Sequence, residues 1–167
     1  MNEIKALRNL MKQLRQHHEY LLTLAEQKTT AIRNSHRKAL KDVMLLEQEE
    51  VRTLRQMERE RVRVVARVVE QYCPHLESTE TMMDWLPYLP DGERTKVEGF
   101  REELQTVIQQ LKAQNELNQQ LLQDGLAVVR ATLKAFYPSE DYIGYTSSAT
   151  VRKPAVDERF SAFDSRA

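Results

Sequence analysis

Residues 91–136 read DGERTKVEGF REELQTVIQQ LKAQNELNQQ LLQDGLAVVR ATLKAF. Val97, Phe100, Leu104, Val107, Ile108 and Leu111 recur at intervals of three and four, the spacing of one face of an α-helix. Followed at 3.5-residue intervals, one seam continues through Gln114, Asn118, Leu121, Gly125 and Val128. A neighbouring row adds Asn115, Leu122, Leu126, Val129, Leu133 and Phe136. Asp91 is the natural N-cap, and Glu93 stands in the first turn, where the helix dipole favours an anion. The pattern stops at Tyr137-Pro138. A single helix over these residues is ~69 Å long at 1.5 Å per residue.

Working outward, residues 73–90 hold three of the five prolines and read as a crossover. Pro74 ends the preceding helix, because it cannot donate the next backbone bond. Within the crossover, Ser78 or Thr79 is a candidate cap for a short helix bearing Met82, Met83, Trp85 and Leu86. Before it, Met1 to Cys73 contains neither Gly nor Pro. Ile4, Leu7, Met11, Leu14, Leu21, Ala25 and Ile32 form one stripe, and Leu40, Val43, Met44, Val51, Leu54, Val62, Val65, Val69 and Tyr72 form another. Arg33 to Lys38 interrupts them, so a turn near 33–36 is expected, with Ser35 or Asn34 capping the second helix. Two helices joined so briefly pack antiparallel. The expected fold is all-α: an antiparallel three-helix bundle or coiled coil over residues 1–137. Its long helices cover about 2–33, 36–72 and 91–136, with the short crossover helix between the last two. Residues 138–167 lack sustained periodicity and are expected to form a mobile, partner-engaging tail.

Composition agrees with long helices: charged residues are 30% and aromatics 7%, with four Gly, too few turn formers and aromatics for a sheet protein. The formal net charge is zero, which gives nonspecific nucleic-acid binding no support. Nine Lys or Arg face three acids in residues 1–41, whereas residues 77–103 hold eight acids against three bases. These opposite surpluses favour packing of the two segments, with modest energies. Lys5, Arg8, Lys12 and Arg15 therefore read as a solvated face or one turned to the acidic segment. Arg52, Arg55, Arg59, Arg63 and Arg67 lie among as many acids as bases and read as a salt-bridged surface. Cys73 is the only cysteine, which excludes an intrachain disulfide and suits a reducing cytoplasm. With no signal-like N-terminus and no apolar run of ~18 residues, the chain reads as cytosolic and soluble, without membrane insertion.

Catalysis finds little support. Cys73 and His75 flank Pro74 and form the one conceivable nucleophile pair, for which a plain surface turn is the simpler reading. His17 and His18 are adjacent, not at the i, i+4 spacing of helical metal ligands. His18 falls in the helix seam, as a hydrogen-bonded core histidine would. No metal, cofactor or catalytic residue is assigned.

Recognition through helices remains. Asn115 and Asn118 interrupt an apolar row, and buried amides without partners cost ~1–3 kcal/mol each. They are read as setting helix register. The apolar residues after them, Leu121 to Phe136, outrun the first two helices, which at ~48 and ~55 Å are too short to cover them. Exposed apolar surface of that kind marks an interaction site.

Asn115-Glu116-Leu117-Asn118-Gln119-Gln120-Leu121-Leu122 resembles the Asn-x-x-Asn-x-x-Leu-Leu pattern late in the last helix of the FlgN-type flagellar export chaperones. Ala39-Leu40 with Glu58 and Arg61 resembles that family's second helix, and Tyr142-Ile143-Gly144-Tyr145 its Tyr-and-Gly tail. Thr146–Ala167 departs from the pattern, as an extension without a counterpart. The resemblance implies a cytosolic chaperone, monomer or weak homodimer, for the hook-filament junction proteins FlgK and FlgL. It would bind their helical, aggregation-prone end and deliver them to the flagellar type III export gate. Leu121, Leu122, Leu126, Val129, Leu133 and Phe136 would contact the substrate helix. Tyr137, Tyr142, Ile143 and Tyr145 would order over it. The alternative is a coiled-coil adaptor or stalk of the same apparatus, against which the proline-rich crossover argues.

Overall fold

The computed structural model of the chain describes residues 3–76 and 81–137. Four α-helices follow in order: α1 (Glu3–Arg33), α2 (Arg37–Tyr72), the short α3 (Met82–Trp85) and α4 (Asp91–Phe136). A single 3-10 turn, Leu86–Tyr88, joins α3 to α4. The three long helices form the all-α bundle that the periodicity predicts.

Helix directions follow from cross-helix pairs. Glu3 meets Arg67 at 2.9 Å, His17 meets Glu50 and Lys28 meets Glu47 at 2.6 Å, so α2 runs against α1. Arg8 meets Glu93 at 2.8 Å, Arg15 meets Glu103 and Thr29 meets Asn118, so α4 runs with α1. The basic residues Arg8 and Arg15 thus face the acidic start of α4, as the opposite charge surpluses predict. Arg8's hydrogen bond holds the Glu93 carboxyl below its ordinary pKa. Because the folded pKa is the lower one, this pairing stabilises the fold at neutral pH and is lost as pH falls into the carboxylate range.

The main core lies at the start of α1, the end of α2 and the start of α4. Ile4, Leu7, Met11 and Leu14 of α1 pack with Val64, Val65, Val68 and Val69 of α2. Trp85, Leu86, Leu89 and Val97 close the same cluster from the crossover. Full burial of each large side chain contributes ~1.5–3 kcal/mol. A smaller cluster, Leu21, Leu24 and Val43 with Leu111 against it, continues toward the α1–α2 turn. Val62 and Met44, predicted in the α2 stripe, are instead exposed. Sequence spacing alone does not exclude these flank positions.

Local signals differ from expectation in three places. At the α1–α2 turn, His36 N–H donates to Ala31 O at 2.9 Å and Ser35 N–H to Ile32 O at 3.1 Å. These are the paired bonds of a Schellman motif, with Ser35 in the left-handed region at φ 53°. Ser35 therefore ends α1 rather than capping α2, whose N-cap is His36 without a side-chain bond. Thr81, not Ser78 or Thr79, precedes α3; its N–H and Oγ both donate to Asp84 Oδ2, at 2.8 and 2.6 Å. Ser78 and Thr79 lie outside the described residues. At α4, the Pro90 carbonyl accepts the N–H groups of Glu93 and Arg94. Asp91 is already helical and pairs with Arg94 at 2.9 Å.

The Ser35 conformation yields a test. A left-handed residue with a Cβ costs ~1–2 kcal/mol, while glycine's extra unfolded-state freedom costs ~0.5–1 kcal/mol. Ser35→Gly is expected to stabilise by about 0.5 kcal/mol net, raising the thermal midpoint by roughly 1–2 °C. Thermal circular dichroism reads this, and a lowered midpoint would contradict the left-handed backbone.

Two compact units divide the chain, the first extending to Gln123 and the second starting at Asp124. The division falls within α4. The described part of the second unit, 124–137, is the last turns of α4 and Tyr137.

Candidate partner-binding site

On α4, the face that covers the core is traced by Val97, Phe100, Leu104, Val107 and Leu111. Continuing in steps of three and four, it passes Gln114 and Asn118 and arrives at Leu122, Leu126, Val129, Leu133 and Phe136. At about 100° per residue these last five stay within a narrow arc of the helix surface. Their environment changes along the way. Every described residue from Leu122 onward is exposed. Leu126 is 56%, Val129 54% and Phe136 76% accessible. The result is an apolar ridge about four turns long, on a helix face whose earlier residues are core.

The transition between the two halves is marked by a polar lock. Asn118 is 2% exposed. Its Nδ2 donates to the Ala25 carbonyl at 2.8 Å, and its Oδ1 accepts from Thr29 Oγ1 at 2.6 Å. Gln114 Nε2 donates to the same Thr29 oxygen. Each partner sits at one level of α1, so the amide fits in a single axial register of α4 against α1. Asn115 takes no part; it is exposed. The reading of Asn115 as a register-setting residue therefore finds no contact with α1 to rest on. Asn115 and Asn118 are three residues and about 60° apart, and α1 is reached by only one of them. Thr29 was missed, although its place four residues after Ala25 in the α1 stripe carries the signal.

The other predicted contact residues divide. Leu121 is partly buried and turns about 100° from the ridge. Leu117 and Val128 are further exposed apolar residues on that second side. Tyr137 is exposed beside the end of the ridge. Tyr142, Ile143 and Tyr145, with the whole tail from Pro138, lie outside the described residues.

Chemistry elsewhere is structural. The Cys73 thiol is buried, reaches only the Trp85 carbonyl at 3.7 Å, and is pushed up in pKa by that burial. His75 packs edge-on against Tyr88. His18 is held below its ordinary pKa by burial, and its Nδ1 lies 2.7 Å from the Leu14 carbonyl, to which the neutral ring donates. Arg61 grips both oxygens of Glu58 one turn away on α2. Among the described residues no three His, Cys, Asp or Glu side chains gather as metal ligands. Among them, too, no helix is long and apolar enough to cross a membrane.

Residues 1–153 match the model of the FlgN protein family. The chain belongs to the FlgN family of flagellar export chaperones. This FlgN-family chain is also 28% identical over 163 residues to a Bacillus subtilis (strain 168) protein described as "Uncharacterized protein YvyG", covering 98% of each chain. No solved structure matches. The family match runs past Thr146 to residue 153, so the extension without counterpart in the family model begins after that residue and not at Thr146.

Proposed function

We propose that this FlgN-family chaperone binds the helical end of the hook-filament junction proteins FlgK and FlgL on the α4 ridge, in the cytoplasm, and delivers them to the flagellar type III export gate. The observation that carries this reading is the change of environment along one face of α4. Its first half is packed as core and its second half, Leu122 to Phe136, is bare. A ridge at three-and-four spacing fits one apolar stripe of an amphipathic helix, the helix-in-groove mode of recognition. Tyr137 stands where a bound helix would end, and Tyr142, Ile143 and Tyr145 are proposed to close over it.

Holding such a helix keeps an aggregation-prone surface from self-pairing. Ordering a segment upon binding gives up entropy, which keeps the complex reversible enough for handover. The test is isothermal titration of the full-length chain with purified FlgK and FlgL. Saturable binding that disappears when the helical end of the substrate is removed is expected. Absence of binding to both proteins sinks the proposal.

A further inference from the structure

A second exposed apolar surface lies on α2. Arg37, Leu40, Lys41, Met44, Leu45 and Gln48 line a shallow groove of about 320 Å³. Met44 is 46% and Leu45 51% exposed. Val43 points into the bundle core, whereas Lys41, Leu45 and Gln48 lie roughly 140–200° around the helix from it, on the outer face. The groove is thus not a continuation of the core seam.

Its exposed side chains from Arg33 to Lys41 include four cations. Arg33, Arg37, Lys38 and Lys41 are all exposed, and none forms an ion pair among the described residues. Elsewhere Arg8, Arg15, Lys28 and Arg61 each have a carboxylate. The first turn of α2 carries no acid, so Arg37 and Lys38 stand at the positive end of the helix dipole, where cations are disfavoured. Helix stability alone does not favour this placement, and an anion bound at this end would offset its cost. In a chain of zero net charge, the local surplus also directs approach to this end of α2.

We propose that the outer face of α2 from Arg37 to Gln48 docks an acidic amphipathic helix of a second protein. Leu40 and Met44, one turn apart, take apolar residues of the partner at three-and-four spacing. Arg37 and Lys41, also one turn apart, pair with carboxylates on its flank. Charge complementarity selects this occupant. A membrane surface is disfavoured because the patch has no aromatic residue.

The experiment uses full-length protein with 13C-methyl methionine. The probe is a stapled helical peptide with leucines at three-and-four spacing and glutamates on both flanks; the same peptide with lysines is the control. The acidic peptide is expected to shift the Met44 methyl resonance saturably, with the lysine peptide at least about tenfold weaker. Arg37→Glu with Lys41→Glu, both at exposed positions, is expected to weaken binding by about tenfold or more while circular dichroism is unchanged. An unmoved Met44 signal, or affinity insensitive to the charge reversal, overturns the proposal. So does a Met44 shift produced by phosphatidylglycerol vesicles and not by peptide, which assigns the patch to lipid. A shift that grows with protein concentration alone assigns it to a second copy. A shift on deleting residues 138–167 assigns it to the chain's own tail.

Discussion

Leu126→Asp combined with Val129→Asp is expected to reduce affinity for FlgK and FlgL by at least about a hundredfold while leaving the fold intact. Both side chains are more than half exposed in the free chain, so neither aspartate enters the core, and surface changes of this kind shift stability by only ~0.5 kcal/mol. In a complex on the ridge the same positions lie at the centre of the contact. Each loses roughly 1 kcal/mol of remaining apolar burial. Each also adds a carboxylate that must be desolvated without a partner, at ~1–3 kcal/mol. The two together exceed the ~2.8 kcal/mol that a hundredfold loss requires. Titration calorimetry reads the affinity and circular dichroism the fold. Val62→Asp, an equally exposed apolar position on α2, serves as control and is expected to leave binding unchanged. Undiminished affinity of the double variant would remove α4 as the binding element.

Trp85→Ala is expected to be the most damaging single substitution to stability. Trp85 is 1% exposed and among the largest fully buried side chains. It sits in the cluster that joins Ile4 and Leu7 of α1, Val68 and Val69 of α2 and Val97 of α4. Its removal costs ~3–5 kcal/mol from lost transfer energy and cavity, against a total stability of ~5–15 kcal/mol for a domain. For a chain of this size the thermal midpoint falls by about 10 °C. Trp85→Phe, which refills most of the volume, is expected to lose less than half as much. Because Trp85 is the only tryptophan, its emission in the parent protein reports unfolding at this junction. Coincidence of that signal with the dichroism transition is expected for a cooperative core. A midpoint for Trp85→Ala within 2 °C of the parent, about 1 kcal/mol on the same scale, contradicts its role.

Much of the fold was legible because helix-forming sequence is written in periods. Glycine and proline are absent through residue 73, and Pro74 and Pro138 mark where helices stop. The caps were harder to read. Schellman closure at Ser35 uses backbone groups of Ala31 and Ile32 that every residue carries, so side-chain identity suggested a different role. Asp91 resembled a cap by chemistry, yet the Pro90 carbonyl begins α4. Leu121 was grouped with Leu122 through the paired leucines of the family pattern; one residue of helix turns them about 100° apart.

Sequence alone determined that the chain is helical, where the long helices start and stop, and that α4 carries one apolar face from Val97 to Phe136. Helix lengths already pointed to a bare second half of that face; the tertiary structure decided where the cover ends, between Asn118 and Leu122. A three-and-four repeat records the side chains on a helix, not whether another helix lies against them. Choice between the two asparagines was also tertiary. Asn118 is satisfied because Ala25 and Thr29 of α1 arrive at its level, while Asn115, in the neighbouring row, is exposed.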